Sequence, residues 1–442
     1  MPAVLEPRIV PRAEHTLSRR DIDPDALKVL YRLREHDHLA YLVGGSVRDL
    51  LLGRRPKDFD IGTSAHPYQV KRLFRNCWII GRRFRLAHVR FGPKKVIEVA
   101  TFRRQVQPGE EVVQEGVPAP NPATPEGAHL VHHDNTFGTP EEDAFRRDFT
   151  INALFYDIAT FSIIDYVNGL EDLRAGIIRS IGDPEVRFQE DPVRMLRAVA
   201  FVARLGFVLD PPVAKAIQAR RQEVARSSPA RLLEEYYKIL RSGHAEKTFR
   251  ALDEAGLLEV ISPELHRAAG ERLWRSLAAL DAYRVRFESI PDELNTTILL
   301  GSLLVPAGFT GSFRHPHATD EDGHEPPEAG SRLGSLPLAR RDIERLRQLL
   351  GLERRLSDTN VHPRARQAIA RRNIFRDALT WMEIHGEAPE MVREWKAVGE
   401  RFGTEGVAHV EDGGHEGGSP SAEQPLARRR RRRRRRRSRP AS

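Results

Sequence analysis

Two adjacent glycines, Gly44 and Gly45, stand between the apolar run Tyr41-Leu42-Val43 and a compact helical segment at 46–52. A residue without a Cβ lets the backbone turn sharply and approach a bound group closely. The spacing matches neither a Walker A loop nor Gly-x-Gly-x-x-Gly. The pattern predicts a strand, a turn and a helix that hold a phosphate through Gly44, Gly45 and Arg48. A purely structural turn is the alternative.

A pair of carboxylates follows this turn, in Lys57-Asp58-Phe59-Asp60-Ile61. We predict a strand here, on which residues two apart point to the same face. Two carboxylates on one face repel each other unless a cation lies between them. Mg²⁺ combines a few protein carboxylates with water and phosphate oxygens, so Asp58 and Asp60 predict a two-metal site. Two solvated aspartates at a strand end are the alternative.

A third carboxylate is expected near this pair, and two residues are candidates. Glu98 interrupts the apolar strand 96–100, where a buried charge is costly without a partner. On a half-exposed strand, Glu98 would merely be solvated. Asp148 precedes the apolar segment 149–156, which we predict to be helical, so this carboxylate either serves the site or caps that helix.

The segment 190–197 predicts a second helix of interest, with Pro192 in its first turn. At helical spacing, Asp191, Arg194 and Arg197 fall on one side and the apolar side chains on the other. Arginine and aspartate can hydrogen-bond the edge of a nucleobase. A solvated charged face is the alternative.

The chain of 442 residues is long enough for two or three domains. Strand and short-helix patterns alternate up to about residue 143 and indicate one compact α+β unit, and helical periodicity dominates after it. The single cysteine, Cys77, excludes an internal disulfide and a cysteine-based zinc site. No apolar run has the length of a membrane span. We therefore expect a cytoplasmic protein with no membrane partner.

Arginine fills positions 428–437 and 439 near the end of the chain. These eleven charges exceed the formal net charge of +9, so the rest of the chain is slightly acidic. Such a run predicts sequence-independent contacts with RNA phosphates. A disordered solubilising tail or a protein-contact site is the alternative.

Taken together, the motifs resemble those of class II nucleotidyltransferases, which include tRNA CCA-adding enzymes and bacterial poly(A) polymerases. The motifs stand in the family's order at 43–49, 58–60, 146–152 and 190–197. The text around them resembles the poly(A) polymerases more closely, at 73–77, 81–89, 97–103 and 240–245. The resemblance covers about residues 12 to 260 and fades after that.

The resemblance implies roles for particular residues. Asp58 and Asp60 would hold two Mg²⁺ ions, Asp148 would be catalytic with them, and Glu98 is a further metal-site candidate. The implied nucleotide-binding residues are Gly44, Gly45, Arg48, Arg147, Asn152 near the ribose, and Asp191, Arg194 and Arg197 at the base. ATP would be the substrate and RNA 3′ ends the partner.

The resemblance also implies a fold and a domain order: a nucleotidyltransferase-type mixed-sheet head followed by an all-helical neck and body. We place a lead-in at 1–35, the head at 36–165, the neck at 166–235, an RNA-binding body at 236–402 and a disordered basic tail at 403–442. The implied activity is template-independent addition of AMP to RNA 3′ ends, as in poly(A) tail synthesis and RNA turnover. The same motifs suit tRNA CCA addition, and a non-catalytic RNA-binding module is the alternative outside the enzymes.

Overall fold

The computed structural model describes residues 6–81, 85–93, 95–104, 136–310, 332–358, 361–386 and 388–402. Within these ranges a mixed sheet with short helices is followed by an all-helical region, which confirms the predicted α+β class. The basic tail at 403–442 lies outside the described residues. In the part of the chain that is described, no helix has both the length and the apolar character needed to cross a membrane.

The described part of the N-terminal region contains eight strands that form one sheet. The strands are β1 (Arg8–Val10), β2 (Ala40–Val43), β3 (Ile61–Thr63), β4 (Cys77–Ile80), β5 (Leu86–Arg90), β6 (Val96–Thr101), β7 (Leu154–Asp157) and β8 (Ser162–Asp165). Their order across the sheet is β1-β8-β7-β2-β3-β6-β5-β4. β3 and β6 run parallel, and the other neighbours are antiparallel. β1 comes from the segment predicted as a lead-in, so that segment takes part in the sheet.

Among the residues described, five short helices accompany the sheet: α1 (Pro24–Arg34), α2 (Gly45–Leu51), α3 (Pro67–Leu73), α4 (Pro140–Phe145) and α5 (Gly169–Ala175). α1 shows why they begin where they do. The Asp23 carboxylate accepts hydrogen bonds from the backbone N–H groups of Asp25 and Ala26, and Pro24 occupies the first turn. α1 and α3 cover one face of the sheet.

The helical region continues to the last described residue. Its helices are α6 (Pro184–Glu190), α7 (Val193–Leu205), α8 (Pro211–Arg220), α9 (Pro229–Leu240), α10 (Ala245–Glu254), α11 (Leu257–Ile261), α12 (Pro263–Arg267), α13 (Glu271–Arg284), α14 (Thr296–Leu304), α15 (Arg340–Leu356), α16 (Pro363–Ala370), α17 (Phe375–His385) and α18 (Pro389–Phe402). Two short strands, β9 (Ile177–Ile178) and β10 (Val208–Leu209), pair in parallel beside α7. α7 packs against α9 and α10, so it joins the sheet unit to the helices that follow.

Two local predictions are wrong. Residues 149–156 form a 3-10 turn at Thr150–Asn152 and then strand β7, not a helix. An apolar run of this length suits either state, and pairing with β2 and β8 decides for the strand. Asp58 and Asp60 precede β3, which begins at Ile61, so they do not lie within a strand.

Candidate active site

The turn after β2 has a backbone that only glycine adopts easily. Gly44 has φ +71° and ψ −129°, and its N–H donates a hydrogen bond to the Leu154 carbonyl at 3.0 Å. A Cβ at Gly44 would lie 2.8 Å from Nη1 of Arg147. The missing side chain therefore leaves room for the Arg147 guanidinium, which donates to the Asn152 carbonyl at 3.0 Å.

The acidic pair lies one strand away from this turn. The Val43 N–H donates to the Asp60 carbonyl at 3.0 Å, which places Asp60 beside the end of β2. On its other side, Ile61 pairs with Val99, so Asp60 comes next to Glu98 on β6. The Asp58 side chain is 70% exposed. Although Asp58 and Asp60 lie outside β3, the register of β3 with β6 therefore places Asp60 next to Glu98.

Burial raises the pKa of the Asp60 carboxyl to about 6, and the negative charges of Glu98 and Asp58 act in the same direction. The positive charge of Arg147 opposes the shift. No side chain among the described residues is a hydrogen-bond donor to Asp60. Asp58, Asp60 and Glu98 therefore form a cluster of like charges that is only partly compensated by the protein.

A divalent cation fits this cluster by charge, because it would offset both the repulsion among the carboxylates and the free-energy cost of burying an ionised Asp60. In the described ranges, no three acidic, imidazole or thiol groups converge closely enough to ligate an ion by themselves. Mg²⁺ takes one or two protein carboxylates and completes its shell with water and substrate oxygens.

Asp148 has a different environment. Its Oδ1 accepts hydrogen bonds from the Phe149 N–H at 2.8 Å and from Nδ2 of Asn152 at 3.1 Å, and its Oδ2 lies 2.7 Å from Nη2 of Arg197. Burial works to raise the pKa of this carboxyl, but the Arg197 charge and the two hydrogen bonds lower it overall. Asp148 is thus ionised, and Arg197 balances its charge within a hydrogen-bonded network. Because no α-helix follows Asp148, it does not serve as the helix cap that was the alternative.

The Arg48 side chain belongs to the same network. It is 2% exposed, and its guanidinium donates to Oδ1 of Asn152 and, at 2.8 Å, to Oδ1 of Asp49. Arg204 in turn lies 2.9 Å from Oδ2 of Asp49. Burial is the main cause of a lowered Arg48 pKa. Arg48 therefore orients Asn152 from within the protein.

The three residues predicted to contact a base are near α7, but each has a protein partner. Asp191 follows α6 and lies 2.8 Å from Nη2 of Arg231. Arg194 pairs with Glu190 at 3.3 Å, and Arg197 pairs with Asp148. Among the described atoms, Oδ1 of Asp191 is buried without a hydrogen-bond partner, which leaves one acceptor of this carboxylate unsatisfied within the protein.

Two further residues, Asp143 and Arg187, position the site and were not predicted from the sequence. Asp143 is 2% exposed and pairs with both Arg146 and Arg147, the latter at 2.9 Å. The four-residue spacing from Asp143 to Arg147 was the available signal. Arg187 donates to the carbonyls of Arg146 and Arg147, both at 2.7 Å, and no local pattern announces that long-range contact.

Two family models match parts of the chain. Residues 40–179 match the family model described as the poly A polymerase head domain. Residues 206–269 match the one described as a probable RNA and SrmB-binding site of polymerase A.

The chain is similar to poly(A) polymerase I of Salmonella typhimurium, with 50% identity over 260 residues, 59% of this chain and 54% of that protein. It is 38% identical to the CCA-adding enzyme of Lactobacillus helveticus over 239 residues, 54% of this chain and 55% of that enzyme. The crystal structure of the Bacillus stearothermophilus CCA-adding enzyme in complex with CTP superimposes with a TM-score of 0.57 at 26% identity. That match covers 86% of this chain and 83% of that one. The chain spans about half the length of the curated relatives it matches.

Proposed function

We propose that the chain belongs to the nucleotidyltransferase family of the bacterial poly(A) polymerases and CCA-adding enzymes, which its matches support. We also propose that it adds AMP from ATP to RNA 3′ ends without a template. The carboxylate cluster of Asp58, Asp60 and Glu98, one strand from the Gly44 turn, is the observation that carries this proposal. The chain is more similar in sequence to poly(A) polymerase I than to a CCA-adding enzyme, and this difference favours poly(A) synthesis over CCA addition.

Asp58 and Asp60 are the proposed ligands of two Mg²⁺ ions, and Glu98 is a further ligand candidate. Bound Mg²⁺ supplies Lewis-acid chemistry, which makes the RNA 3′-hydroxyl easier to ionise and neutralises the departing pyrophosphate. The protein would hold the carboxylates in place and leave the Asp60 side chain without a hydrogen-bond donor from the described residues, so that its oxygens can bind the ion. Asp148, which the sequence predicts to be catalytic, is proposed to act as a positioning residue that orients Asn152 and Arg197.

The nucleotide contacts follow from the same geometry. The backbone of Gly44 and Gly45 and the Arg147 guanidinium would face the phosphates, and Arg48 would hold Asn152 toward the ribose. Asp191, whose Oδ1 is unsatisfied among the described atoms, would accept a hydrogen bond from the amino group of adenine once the side chain turns toward the base, with Arg194 and Arg197 beside it. The edge of adenine that carries the amino group offers one hydrogen-bond donor and one acceptor. The Asp191 carboxylate can accept from the donor, and an arginine can donate to the acceptor.

Substitution of Gly44 by alanine tests the phosphate contact. The strained backbone should cost about 1–3 kcal/mol of stability, and the new Cβ should displace Arg147 and raise the KM for ATP about tenfold. Gly53→Ala is the matched control, because Gly53 also has positive φ but, its chain neighbours aside, no atom of the described residues lies within 4 Å of its Cβ position. Thermal unfolding and steady-state kinetics separate the two effects. An unchanged KM in Gly44→Ala would contradict the assignment of Arg147.

We also propose the predicted domain order: head at 36–165, neck at 166–235, RNA-binding body at 236–402 and basic tail. A cytoplasmic role in RNA processing and turnover fits this proposal.

Deletion of residues 403–442 should weaken RNA binding and should make the remaining binding less dependent on salt concentration. For single-stranded RNA, the logarithm of the binding constant falls with the logarithm of salt concentration by about 0.7 for each phosphate neutralised. The deletion should therefore reduce the slope by about 0.7 for each lost contact. Binding titrations at several salt concentrations measure it. An unchanged slope would assign the arginine run to another role.

A primer-extension assay tests the whole proposal. The purified chain is mixed with Mg²⁺, a short RNA with a free 3′ end and each nucleoside triphosphate in turn. We expect a long ladder with ATP alone. The double variant Asp58→Ala/Asp60→Ala should abolish it, whereas the exposed carboxylate variant Glu35→Ala should not.

The other outcomes are equally decisive. Addition that stops after a few nucleotides and requires CTP on a tRNA lacking its 3′ end would replace poly(A) synthesis by CCA addition. Lack of extension with every substrate would favour a non-catalytic RNA-binding module.

A further inference from the structure

A row of side chains extends from the carboxylate cluster to the edge of the sheet. Asp60 lies next to Glu98 on β6, Glu98 is paired with His88 on β5, and His88 is paired with Trp78 on the edge strand β4. Residues that are paired across neighbouring strands project from the same face. The candidate metal site therefore continues into an imidazole and then an indole.

This face is open among the described residues. Trp78 is 52% exposed. On the same face, Ile80, two residues along β4, is 50% exposed, and Val96, two strands away on β6, is 42% exposed. His88 is held by Glu98, with 3.4 Å between Nε2 and Oε1. Arg90, two residues along β5 from His88, adds a positive charge. Large apolar side chains this exposed on one face of a sheet mark a binding surface.

The other face of the same strands is packed. Ala87 and Val89 are fully buried, and Ile97 and Val99 are nearly so, in the core shared with Val70 of α3. The exposure of Trp78 is therefore confined to the face that carries Asp60 and Glu98.

The order of the strands gives this surface a direction. The Gly44 turn lies on the β2 side of Asp60, and Glu98, His88 and Trp78 lie on the opposite side, across β6, β5 and β4. In phosphoryl transfer, the attacking and leaving oxygens stand roughly in line on opposite sides of the phosphorus. If the triphosphate occupies the Gly44 side, the RNA 3′-hydroxyl approaches from the side of Glu98.

We propose that Trp78, supported by His88, is a stacking platform for the last bases of the RNA primer. Single-stranded RNA is the occupant that fits, because aromatic side chains stack bases of any sequence while nearby cations attract the backbone. The platform rests on the proposed nucleotidyl transfer, and it assigns to β4 and β5 the task of orienting the 3′ end. Trp78 is a positioning residue in this scheme.

Trp78→Ala is expected to raise the KM for a short oligo(A) primer about tenfold, with the KM for ATP unchanged. Trp78→Phe should retain most of the effect of the native residue, whereas Trp78→Leu, which keeps the apolar contact without an aromatic face, should not. Tyr68→Ala is the matched control, because Tyr68 is 60% exposed on α3, in the helix layer that covers the opposite face. Thermal unfolding checks that the exposed substitutions leave the fold intact.

Photo-crosslinking provides a readout that is independent of catalysis. An oligo(A) RNA with 5-iodouridine as its penultimate nucleotide should label the peptide that contains Trp78 in the full chain. A Trp78→Ala variant with unchanged KM for RNA, or a label confined to other surfaces, would overturn the platform. A change in oligomeric state without a change in KM would reassign the face to a second copy of the chain. Absence of extension by the native chain would refute the proposed activity, and the crosslink would still decide whether RNA lies on Trp78.

Discussion

Asp60→Asn is expected to make the metal-free protein more stable while reducing kcat at least about a thousandfold, or about 4 kcal/mol in activation free energy. The folded-state pKa of Asp60 is raised from 3.8 to about 6, chiefly by burial and then by Glu98 and Asp58. Between those pH values the folded state binds more protons than the unfolded state, so ionisation of Asp60 lowers stability as the pH rises. A shift of this size corresponds to at most about 3 kcal/mol at neutral pH.

Urea unfolding without divalent ions, at pH 7 and near pH 4, measures the stability effect. The advantage of Asp60→Asn should be present at pH 7 and should shrink as the pH falls toward 4, where Asp60 of the native sequence is protonated in the folded state and is becoming protonated in the unfolded state. Added Mg²⁺ should stabilise the native protein and not the variant.

Asp58→Asn is the matched control for this pair of effects. The Asp58 side chain is 70% exposed, so water solvates its charge and the substitution should leave stability nearly unchanged. As a proposed metal ligand, it should still reduce kcat. An Asp60→Asn variant that is no more stable than the native protein would contradict the electrostatic cluster. Full activity of that variant would refute its role as a metal ligand.

Asp148→Ala is expected to lower the free energy of unfolding by about 3 kcal/mol. The substitution removes the partner of Arg197 and the acceptor of two hydrogen bonds, from the Phe149 N–H and from Asn152. The value lies at the low end for a buried ion pair because the Arg197 side chain is 41% exposed and can recover solvent.

The pH dependence of this effect has the opposite sign to that of Asp60. The pKa of Asp148 is lowered in the folded state, so its contribution is present above the unfolded value of 3.8 and is lost as the pH falls below it. Chemical denaturation at pH 7 and below pH 4 measures the change, and Asp148→Asn, which keeps an acceptor, should lose less. Normal stability with abolished turnover would instead place Asp148 directly on the reacting groups.

Much of the fold follows from local signals in the chain. The strand before Gly44, the positive-φ turn and the helix after it were predictable because a glycine pair between an apolar run and a helical segment has few other conformations. The helix of Pro24–Arg34 likewise carries a local signal in the helical spacing of its apolar residues. Residues 149–156 were not, because their apolar pattern fits a helix as well as a strand, and only the partners in β2 and β8 distinguish the two.

The residue types of the candidate site are determined by the sequence alone: a glycine turn, two aspartates two apart, and two further carboxylates distant in the chain. Which of those two lies beside Asp60 is decided only by tertiary structure. The parallel register of β3 and β6 brings Glu98 there. Asp148 instead meets Arg197, because α7 packs against the turn that follows it. Local sequence carries no record of either contact, since each joins segments that are far apart along the chain and depends on how strands and helices pack.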